Sequence, residues 1–496
     1  MTAGSALLAV WLGWLVAEGS YTLPALAGVI ALAAVLVRIT RLPADVILLG
    51  LLLLGYIVGN RGFAQLMPVP WLPLFPAEWG LAAGLGWLVV QSALQQKLPL
   101  RRDILNRALL LWLALGTARV AIDVPRYGIM ALRDYAMIYY ASFFFLAQYY
   151  AAEVRRRNFL VACIGVAATV LLPVYLLFSE FLLFFLTTLT VQGVPLIYLK
   201  GDLAATFLAA GSVIIFYAVR GPHRYWGWPL SMVMLLSVLA GGSRAALVGG
   251  IVATVWLALT RRWSFPAVQA GAVATALAVT AVLAFSGNSH WAEAKLDGLR
   301  DRIVSMVDVN STQNYDSDES FYKGDNNRFR LVWWWTLTQE TWNQGRIFGL
   351  GFGYDLAKSF VQIYDPMMGE DFSARSPHSI IMSAFGRMGL VGLAAFLAIV
   401  GAITVRTWRA LQNRSIDPLA CGLWCAAWVI LVSACFGVVL EGPMGAVVFW
   451  TVLGLANGMT AANADALAEV ASPQPQVPSG DREKDATVEP PTGAAG

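Results

Sequence analysis

The chain has 496 residues, of which 58% are apolar and 13% charged, with a mean hydropathy of +0.64 and a net charge of +4. Soluble domains carry about one-quarter charged residues, so this composition excludes a soluble enzyme, a disordered chain, a disulfide scaffold and a nucleic-acid binder. It leaves an all-α, polytopic integral membrane protein.

A bilayer crossing takes about 20 mainly apolar residues. Taken in chain order, such runs lie at 5–18, 22–38, 43–59, 78–95, 104–120, 130–151, 158–179, 203–219, 229–241, 245–260, 266–286, 378–405, 417–440 and 444–460. The first and ninth are short, so 12–14 transmembrane helices are expected. The first run lacks a basic flank and leads straight into the second, which reads as a membrane segment rather than a cleaved leader. The stretch 181–199 is apolar, contains Pro195, and reads as re-entrant or interfacial. Cys163, Cys421, Cys425 and Cys435 all stand in apolar runs and read as buried thiols rather than disulfide partners or metal ligands.

Loop charges set the orientation, because cytoplasmic loops collect Lys and Arg. With the first residue inside, alternate loops hold sixteen basic residues, from Arg38 and Arg41 through Arg155–Arg157 to Arg406, Arg409 and Arg414. The opposite side holds six: Arg61, Arg119, Arg126, Arg133, Lys200 and Arg244. The expected organisation is a transmembrane bundle of about 11 helices over 1–286, an outer loop module over 287–377, the remaining membrane helices over 378–461 and a disordered cytoplasmic tail over 462–496. The tail is rich in Pro, Gly and charge. The loop module holds thirteen acidic and nine basic residues and contains Trp333, Trp334, Trp335 and Trp342. Its first half looks flexible. Phe329–Gln344 reads as an amphipathic helix capped by Asp325 or Asn326 and ended by the glycines of "QGRIFGLGFG".

Three places carry chemistry-bearing residues. His378 closes the loop module in "ARSPHSIIMSAFG", where Ser376 as N-cap and Pro377 at the first position would put the imidazole in the first turn of a helix. The positive helix end there favours a neutral ring, able to take a proton from an attacking hydroxyl. Arg244 follows Gly241, Gly242 and Ser243 and is expected in the first turn of its helix. A cation opposes the dipole at that end, and a bound phosphate would resolve the conflict. Arg328 and Arg330, just before the tryptophans, suit a second phosphate or a sugar face. The plainer readings are a backbone-capping His, an arginine snorkelling to headgroups and solvated loop arginines. Charges in or beside apolar runs are the neighbours Arg133 and Asp134, the pair Lys200 and Asp202, Arg387, and the lone carboxylate Glu441. Arg387 lies about 13 Å beyond His378 along one helix, on the opposite face. Asp316-Ser317-Asp318 matches a metal-binding D-x-D string only loosely, and no nucleotide loop is present.

The order of "GGSRAALVGG", "NNRFRLVWWWTLTQETWNQGRIFGLGFGYD" and "SPHSIIMSAFGRMGLVGLAAFLAIV" resembles the bacterial O-antigen ligase and O-antigen polymerase superfamily over roughly residues 200–460. The resemblance implies a glycosyltransferase in the bacterial inner membrane with its site facing the periplasm. Its donor would be an undecaprenyl diphosphate-linked glycan, and its acceptor lipid A–core, a growing glycan or a protein. Neither a metal nor another cofactor is implied. Arg244 would hold the pyrophosphate, helped by Arg328 or Arg330, and His378 would activate or position the acceptor hydroxyl. Ligase and polymerase are both open on this reading. A lipid-linked oligosaccharide flippase is the alternative of another class, disfavoured by the large loop and the scarcity of mid-helix charge.

Overall fold

In the computed structural model the described residues are Trp14, 22–69, 72, 74–96, 100–219, 224–241, 243–285, 318–364 and 375–471. Almost all of them are helical; the exception with paired strands is one small hairpin. Among the described residues seven helices are long and apolar enough to cross a membrane: Ala44–Ala64, Ile104–Tyr127, Val154–Leu177, Gly201–Ala218, Ser264–Val282, Ile380–Gln412 and Pro443–Ala461. Four shorter apolar helices stand beside them, Leu26–Thr40, Tyr225–Gly241, Arg244–Leu259 and Pro418–Ala434. The chain is thus an all-α, multi-pass membrane protein. The run expected at 78–95 forms the helix Pro76–Gln95, which belongs to neither group. The run at 5–18 lies outside the described residues.

The layering follows from burial. Gly201–Ala218 and Pro443–Ala461 are enclosed by other helices, whereas Ser264–Val282 and Ile104–Tyr127 keep most of their surface outward. The outward residues are large and apolar, among them Ile122, Leu183, Ile251 and Val282, as lipid-facing positions require. Small residues permit the closest contacts. At Gly458 an added Cβ would stand 2.5 Å from Ala151 Cβ and 2.9 Å from Gln148 O, so the last helix lies directly on Ser142–Tyr150. A buried polar network ties the same region together. Gln148 and Asn106 exchange two amide bonds of 2.9 Å, Asn457 donates to Gln148 Oε1 (2.6 Å) and Asp103 Oδ2 (3.0 Å), and Arg406 donates to Asn457 Oδ1 (2.9 Å). Such a network is favourable only when its members are satisfied.

Three local expectations are corrected, and one stretch is given its local structure. The run 130–151 is not one regular helix but three short ones, Ile129–Asp134, Ala136–Tyr139 and Ser142–Tyr150. Tyr135, Tyr140 and Ala141 between them keep right-handed helical dihedrals, while bonds such as Ile138 N to Tyr135 O and Phe144 N to Ala141 O tighten the path to 3₁₀ turns. The apolar pattern registers a helix but not its winding. The loop helix starts at Asp318, so Asp325 and Asn326 lie inside it rather than at its start. Gly324 lies within this helix, where a glycine costs only about 1 kcal/mol. The last helix runs through Ala471, past the expected tail start at 462, because "AANADALAEVA" is alanine-rich and the first proline comes at 473; residues 472–496 lie outside the described set. Finally, 181–199 holds a π turn at Phe184–Thr188 and a hairpin pairing Thr190–Val191 with Val194–Pro195. Gln192 and Gly193 both take positive φ, as the tight hairpin turn demands.

That hairpin leads to the site. Tyr198 N donates to Gly59 O (3.1 Å) and Arg61 N to Tyr198 O (3.0 Å). The fully buried Asn60, at φ +54, accepts from Lys200 N through Oδ1 (3.1 Å). The start of the helix Gly201–Ala218 is thereby fixed against Ala44–Ala64.

Candidate functional site

The loop helix Asp318–Gln344 places its three consecutive tryptophans in three directions, as about 100° of rotation per residue dictates. Trp333 is fully buried; its Nε1 donates to Leu356 O (2.8 Å), its ring stacks on Phe360 (centroids 5.0 Å, planes 9° apart) and it meets the His378 imidazole edge-on at 5.8 Å. Trp334 Nε1 donates to Pro377 O (2.6 Å). Trp335 stays exposed. Two adjacent indoles thus brace the Pro377–His378 peptide from one helix.

His378 is not in the first turn of the following helix. That helix starts at Ile380 with Ser379 as its N-cap, and His378 precedes it in the left-handed region at φ +54. The reason lies 65 residues away: Ser376 Oγ donates to Glu441 Oε1 (2.9 Å) and is not available to cap the helix. Ser383 Oγ donates to the same oxygen (2.8 Å). The His378 Nδ1 atom is shut off from solvent and has no hydrogen-bond partner.

Arg244 is where the cap pattern put it. Ser243 is the N-cap, its Oγ accepting from Ala246 N (3.4 Å), and Arg244 opens the helix Arg244–Leu259. Arg330 comes from the loop helix to the same place. Burial and the nearby Arg244 guanidinium lower its pKa, and Asp202 opposes them. Arg328 is exposed. Lys200 and Asp202, 3.7 Å apart, complete the group. The His378 imidazole is pushed down to about 4, first by burial, then by Lys200 and Arg330, with Asp202 opposing. The ring is therefore neutral at pH 7, for reasons of burial and neighbouring cations rather than helix polarity. The structure brings Arg244, Arg330 and His378 together, leaves Arg328 outward, and adds Lys200 and Asp202, which the sequence marked as a charged pair without a role.

Arg387 has a different task. Two residues past it, eleven past His378, the helix Ile380–Gln412 breaks at Gly389, φ +62. The break frees backbone groups, and the loop takes them up. Leu350 N donates to Gly386 O (2.7 Å) and Gly351 N to Arg387 O (3.2 Å), while Leu390 N donates to Arg346 O (2.9 Å) and Val391 N to Ile347 O (3.1 Å). A broken helix is admissible in a membrane protein when protein satisfies its backbone in this way. The turn that makes the splice contains Gly349, Gly351 and Gly353, all at positive φ. Phe352 N donates to Asp123 Oδ2 (2.7 Å) and Gly353 N to Asp134 Oδ2 (2.9 Å). Arg387, buried, pairs with Asp134 at 2.8 Å and donates to Gly351 O (3.3 Å) and to Tyr354 O. Arg375 donates to Gly353 O (2.7 Å). Arg387 and Asp134 are the clamp on the glycine turn.

His223, His290 and the Asp316-Ser317 part of the D-x-D string lie outside the described residues. No group of three or more His, Cys, Asp or Glu side chains with metal-binding geometry occurs among the described residues.

Residues 229–397 match the family model described as O-antigen ligase. Over this segment the chain is similar to the O-antigen ligase and polymerase superfamily. No curated protein matches it. Superfamily members are glycosyltransferase-like enzymes. The matched O-antigen ligase segment carries Arg244, Arg330, His378 and the Gly389 break, while Lys200, Asp202, Asp134 and Glu441 come from outside it.

Proposed function

We propose that the chain transfers a glycan from an undecaprenyl diphosphate carrier to an acceptor sugar hydroxyl, in the manner of an O-antigen ligase, at the periplasmic face of the bacterial inner membrane. The observation that carries this reading is a neutral His378 flanked by Lys200 and Arg330, with Arg244 acting in turn on Arg330. Three cations suit a diphosphate, and a neutral imidazole suits a hydroxyl.

In this scheme Arg244 and Arg330 hold the diphosphate, with Lys200 adding a third charge. The acceptor oxygen attacks the anomeric carbon as the bond to the carrier phosphate breaks, and the hydroxyl proton passes to His378. The electron pair of the broken bond leaves on the diphosphate, where the cations stabilise the developing charge. The donor's own negative charge would offset the cations that depress His378, so the imidazole becomes a better base once donor is bound. The loop module 287–377 presents the acceptor side, and lipid A–core or a related glycan is the acceptor.

The superfamily match favours a second reading equally in kind: a polymerase that joins repeat units with the same groups. A deletion strain separates them. Long polymer stranded on the carrier, with none on the final acceptor, is expected. Single repeat units without long chains would replace the ligase by the polymerase, and units retained on the cytoplasmic side would overturn transfer altogether in favour of a flippase.

A further inference from the structure

Glu441 stands between the helices Pro418–Ala434 and Pro443–Ala471, outside the matched segment. Its Oε1 oxygen accepts from Ser376 and Ser383, two residues before and five after His378. Its Oε2 is shut off from solvent without a hydrogen-bond partner. Lys200, which acts electrostatically on His378, acts on Glu441 too.

This arrangement is costly. A buried, half-satisfied carboxylate is destabilising, and burial raises the Glu441 pKa against the pull of the two serines and Lys200. A left-handed His adds backbone strain of its own. Neither is needed to close a helical bundle, since an apolar residue at 441 and a capping serine at 376 would be easier to accommodate. What the pair of serine bonds does is close a loop of hydrogen bonds around His378. The Trp334 bond to Pro377 O holds the turn from the loop helix, and Glu441 holds it through Ser376 and Ser383.

We propose that Glu441 is a positioning residue for glycan transfer, fixing the left-handed His378 turn through Ser376 and Ser383 so that the imidazole meets the acceptor hydroxyl. The inference rests on the transfer reading above. Glu441 touches neither donor nor acceptor; it acts through the two serines.

The test uses full-length protein in nanodiscs, with undecaprenyl diphosphate-linked glycan extracted from the deletion strain as donor. Glu441→Ala is expected to lower kcat about 100-fold, the scale of a misplaced reacting group, with donor KM little changed. Glu441→Gln keeps an oxygen for both serines and is expected to recover most of that loss. The double variant Ser376→Ala/Ser383→Ala is expected to match Glu441→Ala, and adding Glu441→Ala to it to cost little more, because one tie cannot be cut twice. Binding of undecaprenyl diphosphate to each variant checks that the protein is folded. Full activity of the double serine variant, or equal loss in Glu441→Gln and Glu441→Ala, would overturn the positioning role. The reading it rests on fails separately, by transfer that survives Arg244→Ala and His378→Ala.

Discussion

The splice at Gly389 makes a sharp prediction. Gly389→Ala would put a Cβ 2.5 Å from Gly349 N and from Ile347 C and O, all backbone atoms that cannot swing aside. The dihedrals (φ 62°, ψ −152°) belong to a region open essentially to glycine alone, which costs about 1–3 kcal/mol for any other residue. Relieving the clash means parting the loop from the helix, and the four exchanged backbone bonds together contribute about 2–6 kcal/mol net. The sum is on the order of 5 kcal/mol, comparable with the whole stability of many domains. Because the same turn leads from the loop helix to the His378 segment, transfer should fall with it. Gly401→Ala, in the same helix with open space around its Cβ, is the control, and it should stabilise by up to about 1 kcal/mol. Thermal unfolding in detergent, followed by size-exclusion, measures both. A Gly389→Ala protein that melts with the wild type and transfers glycan at the wild-type rate would refute the account of the splice.

Other consequences are quicker to check. His378 loses its proton near pH 4 in the free protein, so kcat/KM should stay level from about pH 7 down to pH 5 and fall below that as the base form is lost; an inflection at the ordinary imidazole value would contradict it. Arg330→Ala should cut transfer at least about 100-fold by removing a charge from the diphosphate site, whereas Arg328→Ala, at an exposed position, should stay within about threefold of wild type. Equal losses in the two would place the donor elsewhere. Excess EDTA should leave transfer intact, since the cations assigned to the leaving group are side chains; loss of activity restored by a divalent ion would contradict that assignment.

What the sequence revealed is what local pattern decides. The Gly241–Ser243 stop and cap puts Arg244 at a helix start by chemistry within a few residues, and the glycines after Gln344 end the loop helix in the same way. The apolar runs located most of the helices, because burial in lipid is read from composition. What was not legible depended on distant partners. "SPHS" reads as a cap, yet Glu441 draws Ser376 away and leaves His378 in a left-handed turn. Arg387 has no meaning without Asp134, 253 positions earlier. Nothing in "GRMG" discloses that the helix opens there, since only the loop's own carbonyls and amides make the opening tolerable. Lys200 joins the site through Asn60 and a hairpin, a route that no periodicity traces.

The central claim is that Arg244 and His378 carry glycan transfer. Its most direct test returns Arg244→Ala and His378→Ala to the deletion strain, with membrane levels of each protein matched to wild type, and sizes the glycan on the carrier and on the final acceptor. The account predicts carrier-linked glycan accumulating and acceptor-linked glycan absent in both. Near-normal glycan on the acceptor in either strain would contradict it.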